Sequence, residues 1–289
     1  MPELPEVEVV KKSLINKIQN LIIKSVKIND GRLRYKINRK IIKKIIGLKF
    51  KRISRRSKYL LFFFNTDIVM LVHLGMTGKF FFVDSKSTKY KTSFYYDINE
   101  DKDEKHDRII FNLSNNHKLI YNDIRKFGFI KFVNRIDLEQ NIHLKHLGPE
   151  PLSNKYNIRY FKNYINGKKR TIKDLLMDQK FVSGLGNIYV NEILFFSGVR
   201  PEKTIEKLKD FEIQKIIKFS KKIISKAITL GGSSIRDFSS SSGKKGSFQQ
   251  HLNIYGKKGE NCSKSKCGGK IKKIVIANRA SFFCNKCQK

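Results

Sequence analysis

Two groups of residues in this chain have types and spacings that could do chemistry. The first is the opening run Met1-Pro2-Glu3-Leu4-Pro5-Glu6. Removal of Met1 would leave the secondary amine of Pro2 at the chain end, with the carboxylates of Glu3 and Glu6 close behind it. An amine beside an acid is the minimum equipment for attacking an electrophilic carbon and moving protons around it. An α-amino group titrates near ~7.7–8.0, against ~10.4 for a lysine, so a useful share is unprotonated at neutral pH. The positive end of a helix starting near Pro5 would lower that value further. A plainer reading of the same residues makes Pro5 a good first helical residue and the acids ordinary first-turn residues.

The second group is Cys262, Cys267, Cys284 and Cys287, the only cysteines in the chain. Each close pair can grip one side of a metal ion, and the stretch between them is long enough for a β-hairpin. Four thiolates in tetrahedral array favour one structural Zn²⁺ with no open position for catalysis. The four-residue gap between Cys262 and Cys267 departs from the usual two-residue knuckle. Clustering at one end excludes a disulfide framework spread across the fold. Arg279 lies between the knuckles and would be held at a fixed place on the hairpin. From Lys244 onward Glu260 is the only acid, and a metal-clipped basic hairpin is a nucleic-acid signal.

The elements that must carry these groups read as an α+β chain. After Pro5, Val7, Val10, Leu14 and Ile15 fall at helical spacing to about residue 20, predicting an amphipathic helix with one buried face. Strand-like segments follow at 23–28, 47–53, 59–64, 68–74, 79–83, 107–113, 118–121 and 129–133. Their β-branched and aromatic content and regular turns predict a sandwich or barrel. The charged stretch 84–105 reads as a long exposed loop. The proline-rich Leu147-Gly148-Pro149-Glu150-Pro151 marks a boundary, and helices are expected at 154–164, 171–179, 187–196 and 205–229. Asn187, after Gly184-Leu185-Gly186, is expected to cap its helix, whose free N–H groups could hold a phosphate. The serine-rich stretch 231–246 reads as a loop. The domain plan is therefore 1–135 as a β-sandwich domain, 136–153 as a linker, 154–250 as a helical domain and 251–289 as a zinc finger.

Composition bounds the partners. The 289 residues carry 61 Lys and Arg against 25 Asp and Glu, a formal charge of +36. The chain is rich in Lys, Ile and Asn throughout, which discounts that figure. Even halved, the excess favours a polyanion, nucleic acid first. No apolar run reaches the ~20 residues that span a bilayer, and the acidic start is not a signal peptide. A soluble intracellular protein is expected.

In order along the chain stand Pro2-Glu3-Leu4-Pro5-Glu6-Val7-Glu8, Ser57-Lys58-Tyr59-Leu60, His73-Leu74-Gly75-Met76-Thr77-Gly78 and Lys105-His106-Asp107. They continue as Tyr121-Asn122-Asp123-Ile124-Arg125-Lys126-Phe127-Gly128, Leu147-Gly148-Pro149-Glu150-Pro151-Leu152, Gly184-Leu185-Gly186-Asn187-Ile188-Tyr189 and the four cysteines. Together they resemble the bacterial formamidopyrimidine-DNA glycosylases, which remove oxidised purines such as 8-oxoguanine and act as abasic-site lyases. The resemblance implies an N-terminal helix and β-sandwich, a helix–two-turn–helix domain and a zinc finger, in a monomer working in the cytoplasm at the nucleoid. It implies double-stranded DNA bound between the domains with the damaged nucleotide flipped out.

By the same resemblance Pro2 is the nucleophile at C1′, Glu3 the acid at the sugar ring oxygen and Glu6 a support for the first turn. Lys58 works between lesion and phosphate, and Arg279 grips phosphate for the second elimination. Met76, Arg125 and Phe127 fill the gap left by the flipped base, an apolar wedge with an arginine. His73, His106, Lys168 and Asn187 contact the backbone. Lys126 stands where the family often has a second arginine, which weakens bidentate phosphate binding there. The stretch 231–248 resembles the loop that closes over the flipped base, with an atypical serine-rich middle. Three rivals remain: an endonuclease VIII-like glycosylase for oxidised pyrimidines, a non-catalytic DNA-binding relative, and a zinc-ribbon RNA-binding module. Leu4 and the run that follows it favour the purine enzyme, because the sister family usually has glycine at the fourth position.

Overall fold

The helical pattern behind Pro5 folds as α1 (Leu4–Ile18). The expected single buried face holds only for its second half: residues 4–10 are buried all round, then Leu14 and Ile18 continue the core-facing side, with Ile15 only half-buried. A 3.6-residue period brings positions 14 and 18 back to the core-facing side and carries position 15 off it. The structure, a computed structural model, describes residues 1–85, 89–91, 101–233 and 248–289. It divides into two units, and the described part of 231–247 groups with the first, residues 1–145.

In the first unit α1 is followed by β1 (Ile23–Ile28), α2 (Arg39–Ile45), β2 (Phe50–Arg56), β3 (Tyr59–Phe64), β4 (Ile68–His73) and β5 (Lys79–Val83). Then come β6 (Lys89–Lys91), β7 (Asp107–Leu113), β8 (Lys118–Asn122) and β9 (Phe129–Asn134). One antiparallel sheet runs β1-β7-β8-β5-β6 and the other β2-β3-β4-β9. Leu60, Phe62 and Phe64 on β3 and Phe80 and Phe82 on β5 alternate into one core with Val7, Val10 and Leu14 of α1, as a two-residue period requires. This is the expected sandwich.

Two elements depart from expectation. The seven residues of α2 carry four cations and bury Ile42 and Ile45, too short a span for a helical period to stand out. The stretch 84–105 is not all loop. It holds β6, paired with β5 through Phe82↔Tyr90, and the start of a 3-10 turn at Asp101–His106; residues 86–88 and 92–100 lie outside the described residues. A three-residue edge strand in a charged sequence has no hydrophobic pattern to betray it.

The pairing that matters most sits at one corner of the sandwich. Strands β4 and β9 pair with His73 opposite Phe129, and β5 and β8 pair with Lys79 opposite Asn122. Residues 74–78 therefore cross from one sheet to the other beside residues 123–128, which cross back. Two loops distant in sequence are made neighbours by register alone.

The second unit contains α3 (Ile158–Ile165), α4 (Ile172–Met177), α5 (Asn187–Ser197) and α6 (Asp210–Thr229), then the hairpin β10 (Ile271–Ile276) and β11 (Arg279–Cys284). Asn157 caps α3 by accepting from the Tyr160 N–H at 3.0 Å, so that helix starts later than its pattern. The pattern at 205–229 splits: a 3-10 turn precedes α6, whose Glu212 accepts from the extended Lys209 N–H at 2.9 Å. Helix α5 is buried almost all round. Its Glu192, 1% exposed, accepts from the backbone N–H groups of Asn253, Ile254 and Tyr255 at 2.9–3.1 Å. That carboxylate fixes the chain entering the cysteine module. Because Leu14 anchors α1 in the sandwich core, Leu14→Ala should cost about 2–5 kcal/mol, read as a lower urea midpoint at unchanged slope.

Candidate active site

The chain start is held inside the first unit. Pro2, Glu3 and Glu6 are buried. The Glu6 carboxylate accepts from the Glu3 N–H at 2.8 Å, the returning half of a capping box. It also accepts from the Ser233 N–H at 2.9 Å and the Ser233 hydroxyl at 3.2 Å. The φ of Gly232 is +82°, and a Cβ there would press on the Glu6 carboxylate. The expected first-turn support is thus also an anchor for the segment entering 234–247, and the serine-rich loop itself lies outside the described residues.

Burial lowers the pKa of the Met1 ammonium below its ordinary value; Glu3 and Glu6 oppose the shift, and Lys58 and Arg125 assist it. Five charged groups therefore act on one another around the start of α1. Lys58, 6% exposed, sits at the β2–β3 turn. The turn is tied to α1 by Arg55, which donates to Glu8 at 2.7 Å and to the Ser57 carbonyl at 2.9 Å. Burial pushes the Glu8 carboxyl up, but the bonds from Lys11 and Arg55 outweigh it and hold it below its usual range. Lowering an amine's pKa favours its unprotonated form, which, with acids alongside, can attack an electrophilic carbon.

The crossover corner displays Met76 and Phe127, 38% and 48% exposed, with the Arg125 guanidinium 4.6 Å over the Phe127 ring. His73 lies behind them. Its Nδ1 accepts from the Gly75 N–H at 3.1 Å, and its ring stacks on Phe129. Burial, helped by Lys58 and Arg34, pushes its pKa down to about 4, so it is neutral at pH 7. Lys126 is committed elsewhere: its ammonium meets Asp30 at 2.6 Å. Hydrogen bonds from Arg32 and Lys126 hold the Asp30 carboxyl far below the usual range. The buried Arg108 donates to the Asp123 carbonyl at 2.8 Å and lies 3.1 Å from His106 Nδ1. Arginine can only donate, so the His106 proton sits on Nε2.

In the second unit the capping expectation for Asn187 fails. Gly186 is the extended N-cap, and Asn187 is the first helical residue. Its side chain instead bridges two other elements. Oδ1 accepts from Lys173 at 2.7 Å, and Nδ2 donates to the Ala280 carbonyl at 3.0 Å. Asn191 adds a bond from the Phe282 N–H at 2.7 Å. Helices α4 and α5 thus hold β11, whose first residue is Arg279. The Gly184 N–H is already given to Gln179 Oε1 at 2.8 Å. Arg279 follows a two-residue turn with φ of +47° at Ala277 and +57° at Asn278, a hairpin geometry suited to strand twist. It lines a cavity of about 220 Å³ with Arg170, Lys173, Asp174 and Asp178. Lys168 is exposed, its ammonium 3.4 Å above the Tyr164 ring.

The four cysteine sulfurs lie within 4.8 Å of one another, with Cys262 and Cys287 at 3.8 Å and Cys267 and Cys284 at 3.6 Å. Four sulfurs about 2.3 Å from one ion stand ~3.8 Å apart in a tetrahedron, so the set fits Zn²⁺. A Cβ on Gly269 would approach the Cys284 sulfur to 2.6 Å, so the cradle is shaped tightly around the thiolates. One structural zinc is held here, and Phe195, Ile254, Ile271 and Phe282 pack behind it.

Sequence reading missed Asp30, Arg108, Asp123, Glu192 and Ser233 as members of these networks, and Thr77, whose hydroxyl donates to Asp123. Small polar residues inside motifs were the available signal. Lone buried carboxylates in a basic chain have none.

Family models match in three places. The formamidopyrimidine-DNA glycosylase N-terminal domain matches residues 1–130, and the H2TH domain of the same family matches 147–239. The zinc finger found in FPG and IleRS matches 259–289. The formamidopyrimidine-DNA glycosylase of Rickettsia massiliae is 39% identical over 288 residues, covering 100% of this chain and 97% of that protein. The Bradyrhizobium enzyme of the same name is 36% identical over 295 residues, covering 100% of both. A Lactococcus lactis FPG variant solved with Fapy-dG-containing DNA superposes at TM-score 0.85 with 34% identity over 100% of both chains. The Lactococcus lactis protein solved with abasic-site DNA gives TM-score 0.85 and 34% identity over 99% of both. Among the described residues no helix is long and apolar enough to cross a membrane.

A histidine whose folded pKa lies below its unfolded value of ~6.5 gives stability that is full above 6.5 and lost as pH falls through about 4. Unfolding free energy should therefore drop across that window, and less so in His73→Gln, measured by urea titration at each pH. Chelating the zinc, or Cys284→Ser, should abolish amide-exchange protection over 271–284 and leave that of β3, β4 and β8 unchanged.

Proposed function

This chain belongs to the formamidopyrimidine-DNA glycosylase family, and we propose that it performs the family's DNA base-excision repair from the amine of Pro2. It is a glycosylase and abasic-site lyase, and its substrates are oxidised purines, 8-oxoguanine and formamidopyrimidines, in double-stranded DNA. The observation that carries the residue assignment is the burial of Pro2, Glu3, Glu6 and Lys58 around the start of α1, where Glu3, Glu6, Lys58 and Arg125 all act on the half-buried chain-start amine.

With Met1 attached, the Pro2 nitrogen is a tertiary amide and has no lone pair to offer. Once Met1 is removed, the same burial and the same four charges act on a secondary amine one residue along. That nitrogen attacks C1′ of the flipped nucleoside, the C1′–N bond to the damaged base breaks with its electron pair going to the base, and the proton released from the Pro2 nitrogen neutralises the departing base. Glu3 supplies a proton to the ring oxygen as the sugar opens, giving an iminium between Pro2 and C1′. A secondary amine makes this iminium permanently cationic, so it draws electrons and acidifies the C2′–H. Loss of that proton expels the 3′ phosphate, and a second elimination expels the 5′ phosphate. Lys58, a buried cation in reach of the amine's field, serves the lesion and its adjacent phosphate. Arg279, beside Arg170 and Lys173, serves the phosphate of the second elimination.

Met76, Arg125 and Phe127 occupy the gap left by the extruded base. His73, His106, Lys168 and Asn187 position the backbone, although the bonds already made by His73 and Asn187 mean they do so largely by shaping the Gly75 turn and β11. Lys126 contributes through its pairing with Asp30 more than through phosphate. The zinc is structural and supplies rigidity to the hairpin. The protein is inferred to act as a monomer on DNA in the bacterial cytoplasm. Borohydride should trap a covalent complex on 8-oxoguanine duplex, and Pro2→Gly should lower trapping on the order of 10²-fold or more. No trapped complex on either oxidised-purine or abasic DNA would overturn the catalytic reading.

A further inference from the structure

Residues 74–78 and 123–128 are brought side by side by strand register, but register does not fix how their tips sit. A buried polar bridge does. The Thr77 hydroxyl donates to Asp123 Oδ1 at 2.5 Å and accepts from the Arg125 N–H at 2.9 Å. One oxygen atom therefore joins the two loops. Asp123 is fully buried. Its other oxygen accepts from the Gly128 N–H at 2.9 Å, with the Tyr121 hydroxyl at 3.4 Å. Its carbonyl takes the Arg108 Nε–H. A buried carboxylate is kept only where such donors satisfy it.

Backbone packing tightens the same joint. Gly75 has a φ of +64°, and a Cβ there would run into the Phe127 carbonyl carbon and the Gly128 nitrogen. Lys126 holds a φ of +58° without being glycine, a conformation that persists only where surrounding contacts over-determine it. The exposed Met76 and Phe127 stand immediately beside this joint, and Arg125 is one of its donors.

We propose that Asp123 and Thr77 are positioning residues that lock the two crossover loops into one rigid wedge, so that Met76, Arg125 and Phe127 enter a duplex together. This rests on the reading that those three fill the gap left by the flipped base. A wedge of three side chains on two independent loops would have to order each loop as it inserts. A pre-locked wedge meets that entropy cost in folding and presents a finished shape to the stack. Neither Thr77 nor Asp123 is among the groups acting on the chain-start amine, so the lock acts through the three wedge residues that it positions.

The test uses the full-length protein with Met1 removed and Thr77→Val, which keeps the shape of the side chain and removes the bridging oxygen. On a lesion-containing duplex kcat/KM should fall between about ten- and a hundredfold. A 2-aminopurine next to the lesion should show weaker unstacking. Cleavage of a single-stranded abasic oligonucleotide, which has no stack to fill, should stay within about twofold of wild type. Thr77→Ser, which restores the hydroxyl, should restore duplex activity. Equal losses on duplex and single strand would mean that Thr77 merely supports the fold, and would overturn the lock. Unchanged duplex activity in Thr77→Val, with Phe127→Ala impaired, would overturn the lock while leaving the gap-filling reading standing. Unchanged duplex activity in Phe127→Ala would remove the gap-filling reading itself.

Discussion

The site depends on one carboxylate. Glu6 accepts from the Glu3 N–H, the Ser233 N–H and the Ser233 hydroxyl, and in doing so it pins the start of α1 inside the first unit. Without that anchor the opening residues would be a frayed terminus, and termini are ordinarily the least ordered part of a domain. Held in place, they lie where burial disfavours the charged form of an amine. The two acids pull the other way. Desolvation, with Lys58 and Arg125 on its side, wins. A shift in that direction favours the unprotonated, nucleophilic form of an α-amino group.

Carboxylates play a similar part elsewhere. In a chain of +36 they are scarce, and several buried or half-buried ones organise a loop or a junction. Glu8 ties α1 to the turn that carries Lys58, through Arg55. Asp30 gathers Arg32, Lys126 and Arg108. Glu192 gathers three backbone N–H groups at the entrance to the zinc module. Buried carboxylates are tolerable because cations and backbone donors surround them. The excess positive charge remains for a polyanion, whose binding is then salt-dependent.

Much of this was legible in the residues. Strands such as Ile23–Ile28, Tyr59–Phe64 and Asp107–Leu113 fall where β-branched and aromatic alternation places them, because one face of each is buried and the pattern records that. The cysteine spacing was enough for the zinc. What escaped was short or non-local. The seven residues of α2 and three of β6 span too few residues to show a period. Asn187 has the composition of a cap, yet the backbone places the cap one residue earlier and sends the side chain to Ala280. Thr77 and Asp123 stand 46 apart in sequence, and only the crossover register makes the Thr77 hydroxyl the common partner of Asp123 and the Arg125 N–H. Pattern reading sees faces and turns; it does not see which distant polar atoms meet.

The central claim is that the Pro2 nitrogen forms the bond to C1′. Mass spectrometry of the peptides from borohydride-trapped complex tests it most directly. The mechanism predicts a chain that starts at Pro2, with the reduced sugar adduct on that residue's nitrogen. An adduct on Lys58 or another lysine, or a trapped chain that still carries Met1, would contradict it.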